Sequence, residues 1–183
     1  MNLSPMFVAL AMVTLPMQPA SADITTCPIA QSVYRDLDRG EFELVFGAPL
    51  PNTGSSDATV SIHHLTHPNP EPLYRFNMTQ SSGYGSIFLV RIDANETDSD
   101  GTDWEAANSL RVNFFDQDLR SANPLFLGDE TESPKYLFIT GLGSHDYYHR
   151  RDLVIAPETP AMGEMMWRHE RCQALPDDLP DDL

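Results

Sequence analysis

In the stretch SHDYYHRRD, His145 and His149 stand four positions apart, so a helical turn would present both imidazoles to one ion, with Asp146 or Asp152 close by. Neutral imidazole is the commonest ligand for zinc and copper, which makes this pair the leading metal candidate. The stretch HHLTH supplies His63, His64 and His67, three of the chain's 6 histidines. In an extended strand His63 and His64 point to opposite faces, so a site built from both clusters needs the fold to bring them together. The plainer reading is imidazoles that are exposed or hydrogen-bonded.

A second candidate is acidic. The stretch DANETDSDGTDWE, residues 93–105, surrounds Gly101 with carboxylates, as an oxygen cage for calcium would require. With Gly101 at the sixth position of an EF-hand loop, Glu96, Asp98 and Asp100 take positions one, three and five. The twelfth position is then Ala107, where a bidentate Glu is needed, so the EF-hand fails. A looser calcium site at Asp98, Asp100 and Asp103 remains, against a solvated loop in which Asp103 caps a turn starting at Trp104.

Met162, Met165, Met166 and His169 recur at one helical face, a pattern that suits copper(I) but equally an apolar helix face packed on a sheet beside Cys172 and Trp167. The packing reading is preferred. Nucleophilic catalysis has little support: the sequence carries no Gly-x-Ser-x-Gly elbow, no HExxH and no phosphate-binding glycine loop. Ser144, His145 and Asp146 are adjacent in sequence, whereas a triad is assembled by the fold. Glu41 and Glu43 share a strand face and could pair as acid and base, although a solvated face accounts for them more simply. A hydrolase with scattered catalytic residues therefore stands last among the readings.

The flanks bound where such chemistry would take place. Met6–Met17 is an apolar run followed by Ala20-Ser21-Ala22, a small-residue cleavage site, so residues 1–22 read as a signal peptide. No Lys or Arg precedes the run, which is also shorter than the ~20 residues that span a bilayer. Cys27 follows Ile24-Thr25-Thr26 and lacks the small-residue box of a lipidated cysteine. The expected product is exported, periplasmic or secreted, and not inserted in a membrane.

The chain has 2 cysteines, Cys27 and Cys172. In an exported protein such a pair predicts a disulfide, and closing the chain from 27 to 172 stabilises by roughly 5 kcal/mol in the chain-entropy model. A CxxC redox pair or a cysteine metal site lacks the necessary sequence spacing. The net charge of -16 opposes nucleic acid and anionic membranes and permits cations or a basic protein partner.

The elements that must position these residues are mostly strands. Pro28–Arg39 places Ile29, Val33 and Leu37 four apart and predicts a helix ended by Gly40. From residue 41 the period falls to two, giving strands at 41–47, 58–65, 73–80, 84–92, 109–116 and 135–141, with Leu153–Ile155 as a seventh. Short polar connections make the sheet antiparallel. The expected fold is mainly β: an antiparallel barrel or sandwich of six to seven strands, an N-terminal helix packed on it, and termini joined by the disulfide. Residues 23–174 form this one domain, and 175–183, a Leu-Pro-Asp-Asp repeat, form an acidic tail predicted to be disordered.

The turn Ser82-Gly83-Tyr84 resembles the Ser-Gly-x-x-Tyr loop of the small periplasmic inhibitors of C-type lysozyme, although here Tyr84 follows Gly83 directly, and the likeness is confined to residues 60–100. That resemblance implies a basic protein partner, which the charge would steer. The functional expectation is a non-catalytic binding module that uses the glycine-flanked Tyr84 and the pair Tyr147 and Tyr148. The alternative is a zinc or copper protein built on His145 and His149.

Overall fold

The computed structural model describes residues 26–50, 56–67, 70–81, 85–92, 109–124, 131–152 and 160–174. The expected signal peptide, the acidic loop with Asp98, Asp100 and Asp103, Tyr84, the strand at Leu153–Ile155 and the tail lie outside them. Among the described residues, eight antiparallel strands follow one another around a closed barrel. They are β1 (Ser32–Asp36), β2 (Phe42–Gly47), β3 (Ala58–His64), β4 (Tyr74–Gln80), β5 (Ile87–Arg91), β6 (Ser109–Phe115), β7 (Tyr136–Thr140) and β8 (Met166–Cys172). One helix, α1 (Leu142–Asp152), joins β7 to β8.

Period-two patterning explains most of the barrel wall. In β3 Ala58, Val60 and Ile62 face inward, and in β4 Tyr74, Phe76 and Met78 do, each at 1% exposure or less. An eight-stranded barrel is just wide enough for side chains to fill it. Here Tyr34, Phe46, Phe76, Phe114 and Trp167 supply most of the bulk, each buried at 1% or less. The fourth expected strand, β5, turns Ile87 and Leu89 inward and leaves Phe88 and Val90 half-buried outside.

Two expectations fail, both where the barrel closes. The helix expected over Pro28–Arg39 is a single 3-10 turn, Ile29–Gln31, that runs into β1. Val33 and Tyr34 suit a strand, and β1 gains hydrogen-bonded partners on both sides, β2 and β8. Leu37, which a helix would bury with Ile29 and Val33, is 45% exposed. The Met162–His169 helix face is likewise absent: Met162 and Met165 are buried ahead of β8, where Trp167 and His169 point inward and Arg168 and Glu170 outward. The architecture is therefore a barrel and not a sandwich, with the helix after β7 instead of at the N-terminus.

The disulfide is present, joining Cys27 to Cys172 across a Cα–Cα distance of 6.0 Å. It fastens the β1–β8 seam at the barrel end opposite α1. No helix among the described residues is long and apolar enough to cross a membrane.

Candidate functional site

Even-numbered strands start, and odd-numbered strands finish, at the barrel end that α1 covers. Gly141, at φ 85°, makes the turn from β7 into the helix. Gly143 lets α1 lie against the returning chain, since a Cβ there would stand 2.9 Å from the Glu164 nitrogen and the Gly163 carbonyl carbon.

Beneath the helix lies a buried carboxylate. Asp146 is fully buried and accepts three hydrogen bonds: from the Tyr74 hydroxyl at 2.6 Å, Arg150 Nε at 2.7 Å and the Met162 amide at 2.8 Å. Arg150 lies one helical turn beyond Asp146, so the charge is paired within the helix while the other two bonds tie the helix to the barrel and to the segment before β8.

His145 and His149 lie on α1, a helix absent from the expected fold, and both rings pack against Tyr74, with centroids 5.5 and 5.3 Å away. The imidazoles are parallel, 6.1 Å apart and 7° between planes. His145 Nε2 and His149 Nδ1 are buried and meet no hydrogen-bond partner among the described residues. The Arg91 guanidinium lies 5.8 Å from the Tyr74 ring centre. Burial first, and then the Arg91 charge, pull both imidazoles below the usual histidine range, His149 to about 4. Burial and the bond to Asp146 push the Tyr74 phenol above its ordinary range. Neutral imidazole is the ligating form, and the two rings lie parallel on one face of α1.

Outward from the same helix, Tyr147 and Tyr148 are 62% and 55% exposed and meet edge to face at 5.3 Å. Arg151 lies 5.1 Å from the centre of the Tyr148 ring.

The HHLTH histidines stand on β3 and just past it. His63 faces outward opposite Glu43, while His64 turns inward opposite Phe42. A groove of about 500 Å³ runs between Glu43, His63, His64 and His67. Ser61 Oγ and His63 Nε2 lie 3.0 Å apart, a pairing that strand spacing allows and that the sequence reading missed. It lies on a strand paired on both sides, which engages the neighbouring backbone amides and leaves none aimed at a developing oxyanion. Ser144 is exposed and the Asp146 oxygens are committed elsewhere, so Ser144, His145 and Asp146 do not form a triad. Glu43 is clamped by Arg171 and Arg35, each at 2.5 Å, and these bonds hold its carboxyl below the ordinary range, the reverse of a general acid.

At the opposite end, His169 is 3% exposed and its Nε2 lies 3.7 Å from the Cys27 sulfur. Ser133 Oγ lies 3.8 Å from that sulfur and donates to the Cys27 carbonyl at 2.7 Å. Tyr34 packs edge-on against the His169 ring at 5.3 Å. Among the described residues, Cys27, His169 and Cys172 are the one group of three His, Cys, Asp or Glu whose ligand atoms lie within 4.8 Å of one another. The two histidine clusters therefore do not merge into a three-ligand site. With the sulfurs bonded to each other, the cysteine group holds no thiolate.

Compared with known proteins, the chain matches no family model, no curated protein and no solved structure.

Proposed function

We propose that this chain is an exported, non-catalytic binding module, periplasmic or secreted, that recognises a basic protein through the face of α1. The observation that carries this reading is the Tyr147–Tyr148 pair, held outward on a helix whose next inward residue, Asp146, is locked to the barrel. Paired aromatics on a rigid element make contact area at little entropic cost. Aromatic side chains fill the barrel interior, which favours recognition on an outer face over ligand capture inside. The net charge of -16 would draw a cationic partner, and the disulfide suits an oxidising compartment.

The test is a thermal-shift and titration screen of the protein against basic proteins, repeated with Tyr147→Ala and Tyr148→Ala together. The expected result is a salt-sensitive complex that the double variant loses while its unfolding midpoint is unchanged. Equal binding by the double variant would refute the assignment of this face.

The second reading is a zinc or copper protein, favoured by the unpartnered nitrogens of His145 and His149. Titration with zinc or copper would shift the unfolding temperature of the wild type and not of His149→Ala; a wild type unmoved by either metal ends that reading.

A further inference from the structure

The disulfide end of the barrel carries a feature independent of the α1 face. Three side chains that prefer soft metals converge there from distant parts of the chain: Cys27 before β1, and His169 and Cys172 on β8. In a tetrahedral zinc site, bonds of about 2.3 Å to sulfur and about 2.0 Å to nitrogen place nitrogen and sulfur roughly 3.5 Å apart. The Cys27 sulfur and His169 Nε2 already stand 3.7 Å apart. The sulfurs themselves would sit roughly 3.8 Å apart in such a site, a spacing reached by side-chain rotation. The cysteine Cα atoms, at 6.0 Å, can stay where they are.

The surroundings favour a cation. A cleft of about 510 Å³ reaches His169 and Ser133 from solvent, with Asp116, Asp118 and Glu132 on its walls against a single Lys135. The cleft ends against His169 and Ser133, whose hydroxyl lies 3.8 Å from the Cys27 sulfur, so a small movement of these side chains would admit an ion with a water as fourth ligand. Tyr34 on one side fixes the orientation of the His169 ring.

We propose that the Cys27–Cys172 disulfide closes a redox-gated zinc site whose three protein ligands are Cys27, Cys172 and His169. A dithiol, protein or small-molecule, opens it. Its thiolate attacks the half-buried Cys172 sulfur, and the Cys27 sulfur leaves as a thiolate that takes up a proton. The second thiol of the reductant then displaces Cys172, so the reductant ends as a disulfide and the protein as two thiols. Zinc replaces the two thiol protons and binds both sulfurs and Nε2. Oxidation of the thiolates by a disulfide reverses the sequence and releases the ion.

The experiment uses protein purified without a histidine tag, half of it reduced with dithiothreitol, both halves freed of reagent without air and titrated with zinc and with cobalt. The expected result is one ion per reduced chain, none per oxidised chain, and thiolate-to-cobalt absorption in the reduced sample alone. His169→Gln should weaken reduced-state binding by about tenfold or more. Near-UV circular dichroism follows the Tyr34 and Trp167 environment in every sample. Reduced protein that keeps this signal and binds no zinc overturns the proposal, as does binding that His169→Gln leaves unchanged. Reduced protein that loses the signal and does not regain it with zinc overturns it too. A signal that zinc restores in the wild type and not in His169→Gln supports it.

Discussion

Tyr74, at the first position of β4, donates its hydroxyl hydrogen to Asp146 at 2.6 Å, joining the barrel wall to a helix 72 residues further along the chain. Because the same carboxylate also binds Arg150 and the Met162 amide, its loss strands three donors at once. Breaking a buried pair from one side costs about 3–5 kcal/mol, so Asp146→Ala should lower stability by that order. Tyr74→Phe removes one bond to a charged acceptor and should cost about 1.5–3 kcal/mol. Denaturant midpoints of the two variants give the ranking, and a near-neutral Asp146→Ala would mean that the helix is held otherwise.

Gly143 offers the opposite kind of test, since alanine is intrinsically the better helix residue. Its Cβ would stand 2.9 Å from backbone atoms of Gly163 and Glu164, which no side-chain rotation relieves. Gly143→Ala is therefore expected to destabilise by about 1–3 kcal/mol, where propensity alone would give a gain of about 1 kcal/mol. Thermal unfolding that rises in this variant would show that α1 does not sit as close as described.

Acid should loosen the helix end before the carboxylates titrate. The folded pKa of His149 is lowered to about 4 from 6.5, by burial, Arg91 and His145, so the unfolded chain binds more protons between those values. Stability from this group is present above pH 6.5 and is lost as pH falls towards 4. The unfolding temperature should drop across that window, and His149→Gln should flatten the drop. An equally steep drop in that variant would assign the acid sensitivity elsewhere.

Removing the disulfide with Cys27→Ser and Cys172→Ser together should cost about 2–5 kcal/mol, with the barrel seam weakened most. Hydrogen exchange should show β1 and β8 losing protection ahead of β4 and β5. Uniform loss across all strands would mean that the seam is not a separable weak point.

The strands from β2 to β7 were legible because alternation such as Val60 and Ile62, or Tyr74, Phe76 and Met78, directly reports which side faces inward. The closing strands were not. Ile29, Val33 and Leu37 and the methionines up to His169 mimic a helical stripe, and only the pairing of β1 with β8 decides against it. That pairing joins residues at opposite ends of the chain, which no local window contains. The candidate sites divide in the same way. The facing of His145 and His149 followed from their spacing of four, whereas their contact with Tyr74 and the approach of His169 to Cys27, 142 residues away, needed the barrel. Sequence spacing argues against a cysteine metal site, yet the fold brings His169 of β8 up to the Cys27–Cys172 pair.

The bond between Cys27 and Cys172 also sets an orientation. The polypeptide enters and leaves the barrel through one knot, at the end away from α1. A linker or a bead attached beside Cys27 or Cys172 is held at that one pole, and the tyrosines of α1 face outward from the other like the tip of a probe on its handle.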